Sequence, residues 1–227
     1  MKILQFLLKT PLRILISIIN LITIKYFFGY KSSFTQIDKL TENKKIYILG
    51  SGSSINSISK NQWKDISDNF SIGLNYWIVH DFIPDVIQIE FISSEKKEYS
   101  ELILKILESR KKDFAKTIFL VKSNYLFWWN YAHLTNILSR IPIELKSNFV
   151  FSSDFPNLSN SISSFISEFN LLKSIGFFEK KTLFKFDLRA SLGYTICFLI
   201  QRKISEIILC GVDLNNENYF YENKLQY

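Results

Sequence analysis

The sequence has only two cysteines and two histidines in 227 residues, and each shortage excludes a class of protein. Cys197 and Cys210 have neither a CxxC nor a Cys/His spacing, so they predict no zinc site and no disulfide framework, and a reducing compartment is the default. A metal centre or a histidine-based triad would have to use His80 and His133, and neither lies in a ligand-like motif. We therefore expect no bound metal.

Glycine is also scarce, with seven residues, and no complete nucleotide-binding fingerprint is present. A predicted buried strand, Ile46 to Leu49, runs into a turn of small residues. The dinucleotide fingerprint needs a third glycine where this chain has Ile55, and the Gly-Lys-Ser/Thr ending of a phosphate loop is absent. The turn therefore predicts either a phosphate-binding site or a tight connection that binds no ligand. Its residues are Gly50, Ser51, Gly52, Ser53 and Ser54.

No long run of one charge occurs, although the net charge is +7. Short basic clusters such as residues 110–112 alternate with Glu and Asp, which is typical of a solvated helix face. No nucleic-acid-binding module is recognisable. An anionic membrane surface or an anionic small substrate therefore explains the charge better than nucleic acid does.

Residues 1–29 are strongly apolar, yet no uncharged run in them is long enough to span a membrane. The longest, residues 14–24, is about half of the roughly 20 residues that a spanning helix needs. No small-residue cleavage site follows, which disfavours a secretory signal. We expect an amphipathic helix on the inner face of the membrane, with its basic side chains near anionic headgroups. A helix buried against the domain is the alternative.

Apolar runs and amphipathic segments alternate along residues 44–227, which predicts one Rossmann-like α/β domain with a mostly parallel sheet. Ligands of such a sheet lie at the carboxyl ends of its strands. Residues 123–177, aromatic and then rich in Asn and Ser, are predicted to form a lid or an inserted helical region. The other predicted strands are residues 69–74, 84–91, 116–122 and 204–210, and the predicted helices are residues 61–68, 94–110 and 190–200.

Four segments, taken in order, resemble the bacterial sialyltransferases of glycosyltransferase family 42. They are ILGSGSSI (48–55), FSIGLNYW (70–77), RASLGYTICFLIQRKISEIILCGVDL (189–214) and a tail with Tyr219 and Tyr221. Their order and spacing match over most of residues 45–221. Related Kdo-transferase-like and polysaccharide-biosynthesis proteins share similar strand-turn patterns.

The resemblance implies a transferase that moves an acidic sugar, of sialic acid or Kdo type, from a CMP-activated donor to lipopolysaccharide or capsule. It implies a single domain resembling a GT-A variant with a lid, and it implies no metal and no cofactor besides the donor substrate. The implied location is cytoplasmic and peripheral to the inner membrane. The implied partners are the CMP-sugar, a glycan or glycolipid acceptor and the membrane surface, with a homo-oligomer left open.

The same resemblance assigns roles to individual residues of this chain. Glu90 is included among the donor-binding positions, although the family has an Asn at the end of its third strand. The implied donor-binding residues are Gly50, Ser51, Gly52, Ser53, Asn75, Glu90, Ser191 and Gly211. The implied catalytic residues are Arg189, Asp213, Tyr219 and Tyr221.

Two further departures concern the chemistry. Asn215 replaces one of the family's phosphate-binding tyrosines, and no histidine follows His133, whereas the family's catalytic His lies downstream of its Gly-x-Asp motif. Transfer from a CMP-sugar passes through an oxocarbenium-like centre, so the leaving phosphate must be stabilised and the acceptor hydroxyl deprotonated. Arg189 and the tyrosines are expected to do the first, and Asp213 or Glu90 the second.

Two alternatives remain open from the sequence. One is a non-catalytic, nucleotide-binding remnant of such an enzyme, because the polar ending LNNENYFYENKLQY resembles that of a truncated chain. The other is a pyrophosphokinase-like enzyme, which would need a carboxylate cluster for Mg²⁺ that the sequence does not display.

Overall fold

The computed structural model describes most of the chain between residues 30 and 221. The described residues are 30, 35–40, 45–90, 97–122, 131–155, 161–179, 184–186, 190–213 and 218–221, with six single positions between 15 and 26. Two residues with predicted roles, Arg189 and Asn215, lie outside the described residues, as does most of the predicted N-terminal helix.

Seven strands form one sheet, and all of its described strand pairings are parallel. They are β1 Ile46–Leu49, β2 Phe70–Leu74, β3 Val86–Glu90, β4 Ile118–Lys122, β5 Phe149–Phe155, β6 Phe184–Phe186 and β7 Ile207–Cys210. Their spatial order is β6-β5-β4-β3-β2-β1-β7. The chain crosses the sheet from β1 to β6 and then returns to place β7 on the other side of β1. The topological switch point, where open α/β sheets bind ligands, therefore lies at the carboxyl ends of the paired strands β1 and β7.

Helices cover both faces of the sheet, which is why the central strands are continuous apolar runs. The described helices are α1 Thr35–Leu40, α2 Lys60–Asp68, α3 Lys97–Ser109, α4 Tyr131–Arg140, α5 Ile162–Ser174 and α6 Ser191–Ile200. Side chains of α3 and α4 pack on one face in a single apolar cluster. Side chains of α1 and α6 pack on the other. Every residue of β1 and β2 is buried.

The predicted α/β class and parallel sheet are confirmed, but the lid or inserted helical region predicted for residues 123–177 is not. The described residues of this stretch supply α4, β5 and all of α5, and β5 is a strand of the sheet that pairs with both β4 and β6. Phe149, Val150 and Phe151 are buried in the core. The strand escaped prediction because its second half is Ser-Ser-Asp, which interrupts the apolar run that marks a buried strand.

The chain before β1 is attached to the core at two points. Tyr30 is buried against the rings of Phe149 and Phe151, and its hydroxyl donates to the carbonyl oxygen of Leu138 at 2.6 Å. Ile37 of α1 is buried in the apolar cluster on the opposite face of the sheet. Both faces of the sheet therefore hold part of the segment that leads into the domain.

The six described positions between residues 15 and 26 are helical. Five of them are large apolar residues with exposed side chains, namely Leu15, Ile18, Ile19, Ile22 and Tyr26. Within the described part of the chain, no helix combines the length and the apolarity that crossing a bilayer requires.

Candidate functional site

The turn after β1 and the segment after β7 lie in direct contact at the switch point. The N–H of Gly50 donates to the Cys210 carbonyl at 2.7 Å, and the N–H of Gly52 donates to the Gly211 carbonyl at 2.8 Å. A Cβ on Gly50 would lie 3.0 Å from the Gly211 carbonyl carbon, and a Cβ on Gly52 would lie 2.9 Å from the Cβ of Asp213. The two glycines therefore allow this chain's own later segment to approach the turn closely.

Asp213 holds the short 3-10 helix Ser53–Ser57 that follows the turn. Its Oδ2 accepts the Ser54 N–H at 2.9 Å, and its Oδ1 accepts the Ser54 hydroxyl proton. These hydrogen bonds from the Ser54 side chain and backbone lower the pKa of the Asp213 carboxyl. The carboxylate thus takes the place where an anion would bind a turn of this kind, and it acts as a structural cap.

Two more amides, those of Ser53 and Ile55, also donate within the chain. The Ser53 N–H donates to the Asn218 carbonyl at 3.2 Å, and the Ile55 N–H donates to the Gly52 carbonyl at 3.2 Å. Each amide from Gly52 to Ile55 is therefore a donor to the protein itself. A phosphate could bind there only after the turn had rearranged and the Asp213 carboxylate had moved away.

The Tyr-rich tail returns to the same edge of the sheet. Tyr219 forms an antiparallel bridge with Gly52, and the Phe220 N–H donates to the Ser51 carbonyl at 3.1 Å. The rings of Tyr219 and Tyr221 stack with their centroids 5.2 Å apart and their planes inclined by 7°. The two tyrosines predicted to contact the leaving phosphate thus belong to one short segment attached to the glycine turn.

Asn75, Glu90 and Ser191 meet at the carboxyl ends of β2 and β3 and form what we call the polar cluster. The Asn75 amide nitrogen donates to the Ser191 hydroxyl at 2.9 Å, although the residues are 116 positions apart. The hydroxyl lies 3.1 Å from Glu90 Oε1 and 3.2 Å from Asn75 Oδ1. The Ser191 hydroxyl has one proton and donates it preferentially to a carboxylate. The hydrogen bonds therefore run from the Asn75 amide to Ser191 and from Ser191 to Glu90.

The backbone places both ends of this cluster. Asn75 has a φ of +51°, a left-handed conformation that Asn tolerates better than most residues, and it opens the 3-10 helix Asn75–Val79. Ser191 is the first residue of α6, whose N-cap residue Ala190 has no side chain able to bind the free amides of the first turn. The polar cluster therefore lies at the positive end of α6.

A group of tyrosines adjoins the polar cluster. The Tyr76 ring lies 4.8 Å from that of Tyr99 and 4.6 Å from that of Tyr221, measured between centroids. Burial raises the pKa of the Tyr99 phenol far above its usual value, and the charges of Tyr76, Glu90 and Tyr221 raise it further. The sequence did not indicate Tyr76 or Tyr99 as site residues, because tyrosines beside a strand end or on an amphipathic helix usually belong to the core.

His80, one of the two histidines considered from the sequence, serves packing. Its ring stacks on Trp77 with centroids 4.4 Å apart and lies 5.5 Å from the ring of Trp63. Its Nδ1 accepts the Phe82 N–H at 2.9 Å. Among the described residues, no three His, Cys, Asp or Glu side chains are arranged to hold a metal ion.

The structure thus brings most of the predicted residues to one edge of the sheet in two groups. The first is the polar cluster, and the second consists of Gly50, Ser51, Gly52, Ser53, Gly211, Asp213, Tyr219 and Tyr221. Tyr76 connects them, since it follows Asn75 in sequence and its ring contacts that of Tyr221. Comparison with protein-family models and a search of curated proteins find no match, so no family is assigned to the chain.

Proposed function

We propose that this protein is a glycosyltransferase that moves an acidic sugar, of sialic acid or Kdo type, from a CMP-activated donor to a surface glycan such as lipopolysaccharide or capsule. The donor class comes from the sequence resemblance. The observation that supports it best is the hydrogen bond between Asn75 and Ser191, because it joins two distant segments that the resemblance assigns to donor binding. The bond lies at the carboxyl edge of a parallel sheet, where such folds bind nucleotides.

Within this proposal, Glu90 suits the role of proton acceptor better than Asp213 does. Both oxygens of Asp213 accept hydrogen bonds from Ser54, which lower the pKa of the carboxyl and weaken it as a base. In the transfer, the bond between the anomeric carbon and the phosphate oxygen breaks and its electrons leave with CMP. The acceptor oxygen bonds to the anomeric carbon, and its proton passes to Glu90. Tyr219 and Tyr221 donate to the leaving phosphate.

Calorimetric titration of the full chain with CMP, and with ADP and NAD as comparisons, tests the proposal. We expect selective binding of CMP. Asn75→Gly keeps the left-handed backbone and removes the amide, so we expect affinity for CMP to fall by about fivefold to tenfold, the usual effect of one lost hydrogen bond.

Asn148→Gly is the matched control for this titration. Asn148 precedes β5 at the amino edge of the sheet, and its amide donates to the carbonyls of Phe114 and Ala115 at 3.3 and 3.0 Å. The control variant should lose stability and keep its affinity for CMP. A folded wild-type protein that does not bind CMP would contradict the proposed function.

The second candidate is a nucleotide-binding protein without catalysis. Two observations favour it: Asp213 is held as a cap, and His80 is held in aromatic packing. Release of CMP from CMP-N-acetylneuraminate and CMP-Kdo separates the candidates, because water can replace the glycan acceptor. An enzyme releases CMP from one of these donors, whereas a remnant binds CMP and leaves both donors intact.

We also propose that the N-terminal segment attaches the protein to the inner surface of an anionic membrane. The five apolar side chains described between residues 15 and 26 are 40 to 72% exposed and recur at helical spacing. Such a stripe buries its side chains at the boundary between headgroups and acyl chains, and the net charge of +7 adds attraction to anionic lipid.

Sedimentation with vesicles of phosphatidylcholine and phosphatidylglycerol tests this attachment. The triple variant Ile18→Gln, Ile19→Gln, Ile22→Gln should bind at least about tenfold more weakly, because each buried isoleucine contributes more than about 1 kcal/mol. A matched control changes three exposed isoleucines elsewhere, Ile143, Ile162 and Ile166, to Gln. If the two triple variants lost vesicle affinity equally, an attachment through the N-terminal stripe would be contradicted.

A further inference from the structure

Tyr99 carries a buried hydroxyl that has no hydrogen-bond partner within the part of the chain that the structure describes. Tyr99 lies in the first turn of α3, and its ring packs edge-on against Tyr76. A phenol removed from water without a partner costs free energy, so buried tyrosines usually find an acceptor. Tyr76, against which its ring packs, directly follows Asn75, and Asn75 is hydrogen-bonded to Ser191, which is hydrogen-bonded to Glu90, so Tyr99 adjoins the polar cluster.

Two other buried tyrosines show how this chain satisfies a phenol when the role is structural. The Tyr30 hydroxyl donates to the Leu138 carbonyl at 2.6 Å, and the Tyr47 hydroxyl donates to the Asp65 carboxylate. The Tyr99 hydroxyl has no such acceptor among the described residues, and Tyr99 lies beside the candidate site. The free donor of Tyr99 is therefore suited to a group that arrives from outside the chain.

The chemistry around Tyr99 defines the group that it would bind. Glu90 offers a carboxylate, which accepts hydrogen bonds, and Tyr99 offers a phenol that lacks an acceptor. A hydroxyl group satisfies both, since it donates one hydrogen bond and accepts another. A phosphate or carboxylate in the same place would face the negative charge of Glu90.

We propose that Tyr99 is a ligand-binding residue that, with Glu90, holds a hydroxyl group of the donor. This inference rests on the proposed function, because that function supplies a ligand rich in hydroxyls. The hydroxyl belongs either to the ribose of CMP or to the sugar, and the two sources share the same chemistry. Tyr99 donates a hydrogen bond to the hydroxyl oxygen, and Glu90 accepts a hydrogen bond from the hydroxyl, with no proton transferred.

The first arm of the test measures the thermal unfolding of the ligand-free full chain. Tyr99→Phe removes only the unpaired oxygen, so its melting temperature should stay unchanged or rise by up to about 4 °C. Tyr30→Phe makes the same chemical change at a paired hydroxyl and should lower the melting temperature by about 2 to 4 °C. If Tyr99→Phe lowered it as much as Tyr30→Phe, the Tyr99 hydroxyl would be bonded in the free protein, by a buried water for example, and the inference would be overturned.

The second arm measures affinity for CMP and for the slowly reacting 3-fluoro analogue of CMP-N-acetylneuraminate. If the ribose supplies the hydroxyl, Tyr99→Phe lowers the affinity for both ligands by about 3- to 10-fold. If the sugar supplies it, only the affinity for the analogue falls. Tyr30→Phe should leave both affinities unchanged. If the wild-type protein binds these ligands and Tyr99→Phe binds them equally well, the role of Tyr99 is overturned and the proposed function is not. A wild-type protein that binds neither ligand overturns the proposed function, and this inference with it.

Discussion

Gly211→Ala is expected to lower the free energy of unfolding by about 3 kcal/mol or more, which combines backbone strain with overpacking. Gly211 has a φ of +66°, where an L-residue is strained. Its added Cβ would also lie 2.7 Å from Cδ1 of Ile55 and 2.9 Å from the carbonyl oxygen of Gly50. Neither neighbour can move freely, since Ile55 is buried and the Gly50 N–H is hydrogen-bonded to the Cys210 carbonyl at the end of β7. Urea unfolding followed by tryptophan fluorescence measures the loss.

Gly176→Ala separates the two causes. Gly176 ends α5 with a φ of +70°, almost the same backbone conformation as Gly211. The nearest atom to its added Cβ is Oε2 of Glu179 at 3.6 Å, which is an ordinary contact. In this variant only the backbone strain should lower the free energy of unfolding, by about 1 to 2 kcal/mol. If both variants lost the same free energy, close packing at the switch point would not be the reason for Gly211.

The two glycine variants should also differ in ligand binding. The clash at Gly211 displaces the turn after β1, and the segment with Tyr219 and Tyr221, which is proposed to contact the donor phosphate, is attached to that turn. Affinity for CMP should therefore fall in Gly211→Ala at temperatures where the variant is still folded. It should not fall in Gly176→Ala, whose changed residue lies at the end of α5.

Asp38→Ala is expected to cost about 3 kcal/mol of stability, because it removes a carboxylate that pairs with a buried cation. The Arg202 side chain is 1% exposed, and its Nε donates to Asp38 Oδ1 at 2.6 Å. Its Nη1 donates to the Phe198 carbonyl at 3.1 Å, and the guanidinium lies over the Phe198 ring. Burial lowers the pKa of Arg202, while the charge of Asp38 raises it. Thermal and urea unfolding measure the loss.

Two comparisons test whether the buried charge is the cause. The double variant Asp38→Ala, Arg202→Met also removes the buried cation and should recover most of the loss. Glu101→Ala breaks an exposed pair with Arg140, whose closest atoms are 2.6 Å apart, and should cost less than about 1 kcal/mol. An Asp38→Ala loss no greater than that of Glu101→Ala would show that solvent screens the Arg202 pair.

The sequence by itself determined the parallel α/β sheet and five of its seven strands, but not their order in space. The runs in β1, β2, β3 and β4 are apolar because both faces of the sheet are covered, and that pattern is readable locally. The sequence also marked Asn75 and Ser191 as partners in one site, through the resemblance of two distant segments. It did not indicate β5, since half of that strand is polar where it reaches the carboxyl edge of the sheet.

Only the tertiary structure decided what the glycine turn and its neighbours do. A turn of Gly and Ser has the same local pattern whether its amides bind a phosphate or the protein itself. The choice depends on Asp213, which lies 159 positions after Ser54 and reaches it because β7 pairs with β1. The Tyr99 hydroxyl lacks a hydrogen-bond partner among the described residues, and this too depends on which side chains surround it in the fold. Such contacts join segments far apart in the chain, so local residue patterns do not contain them.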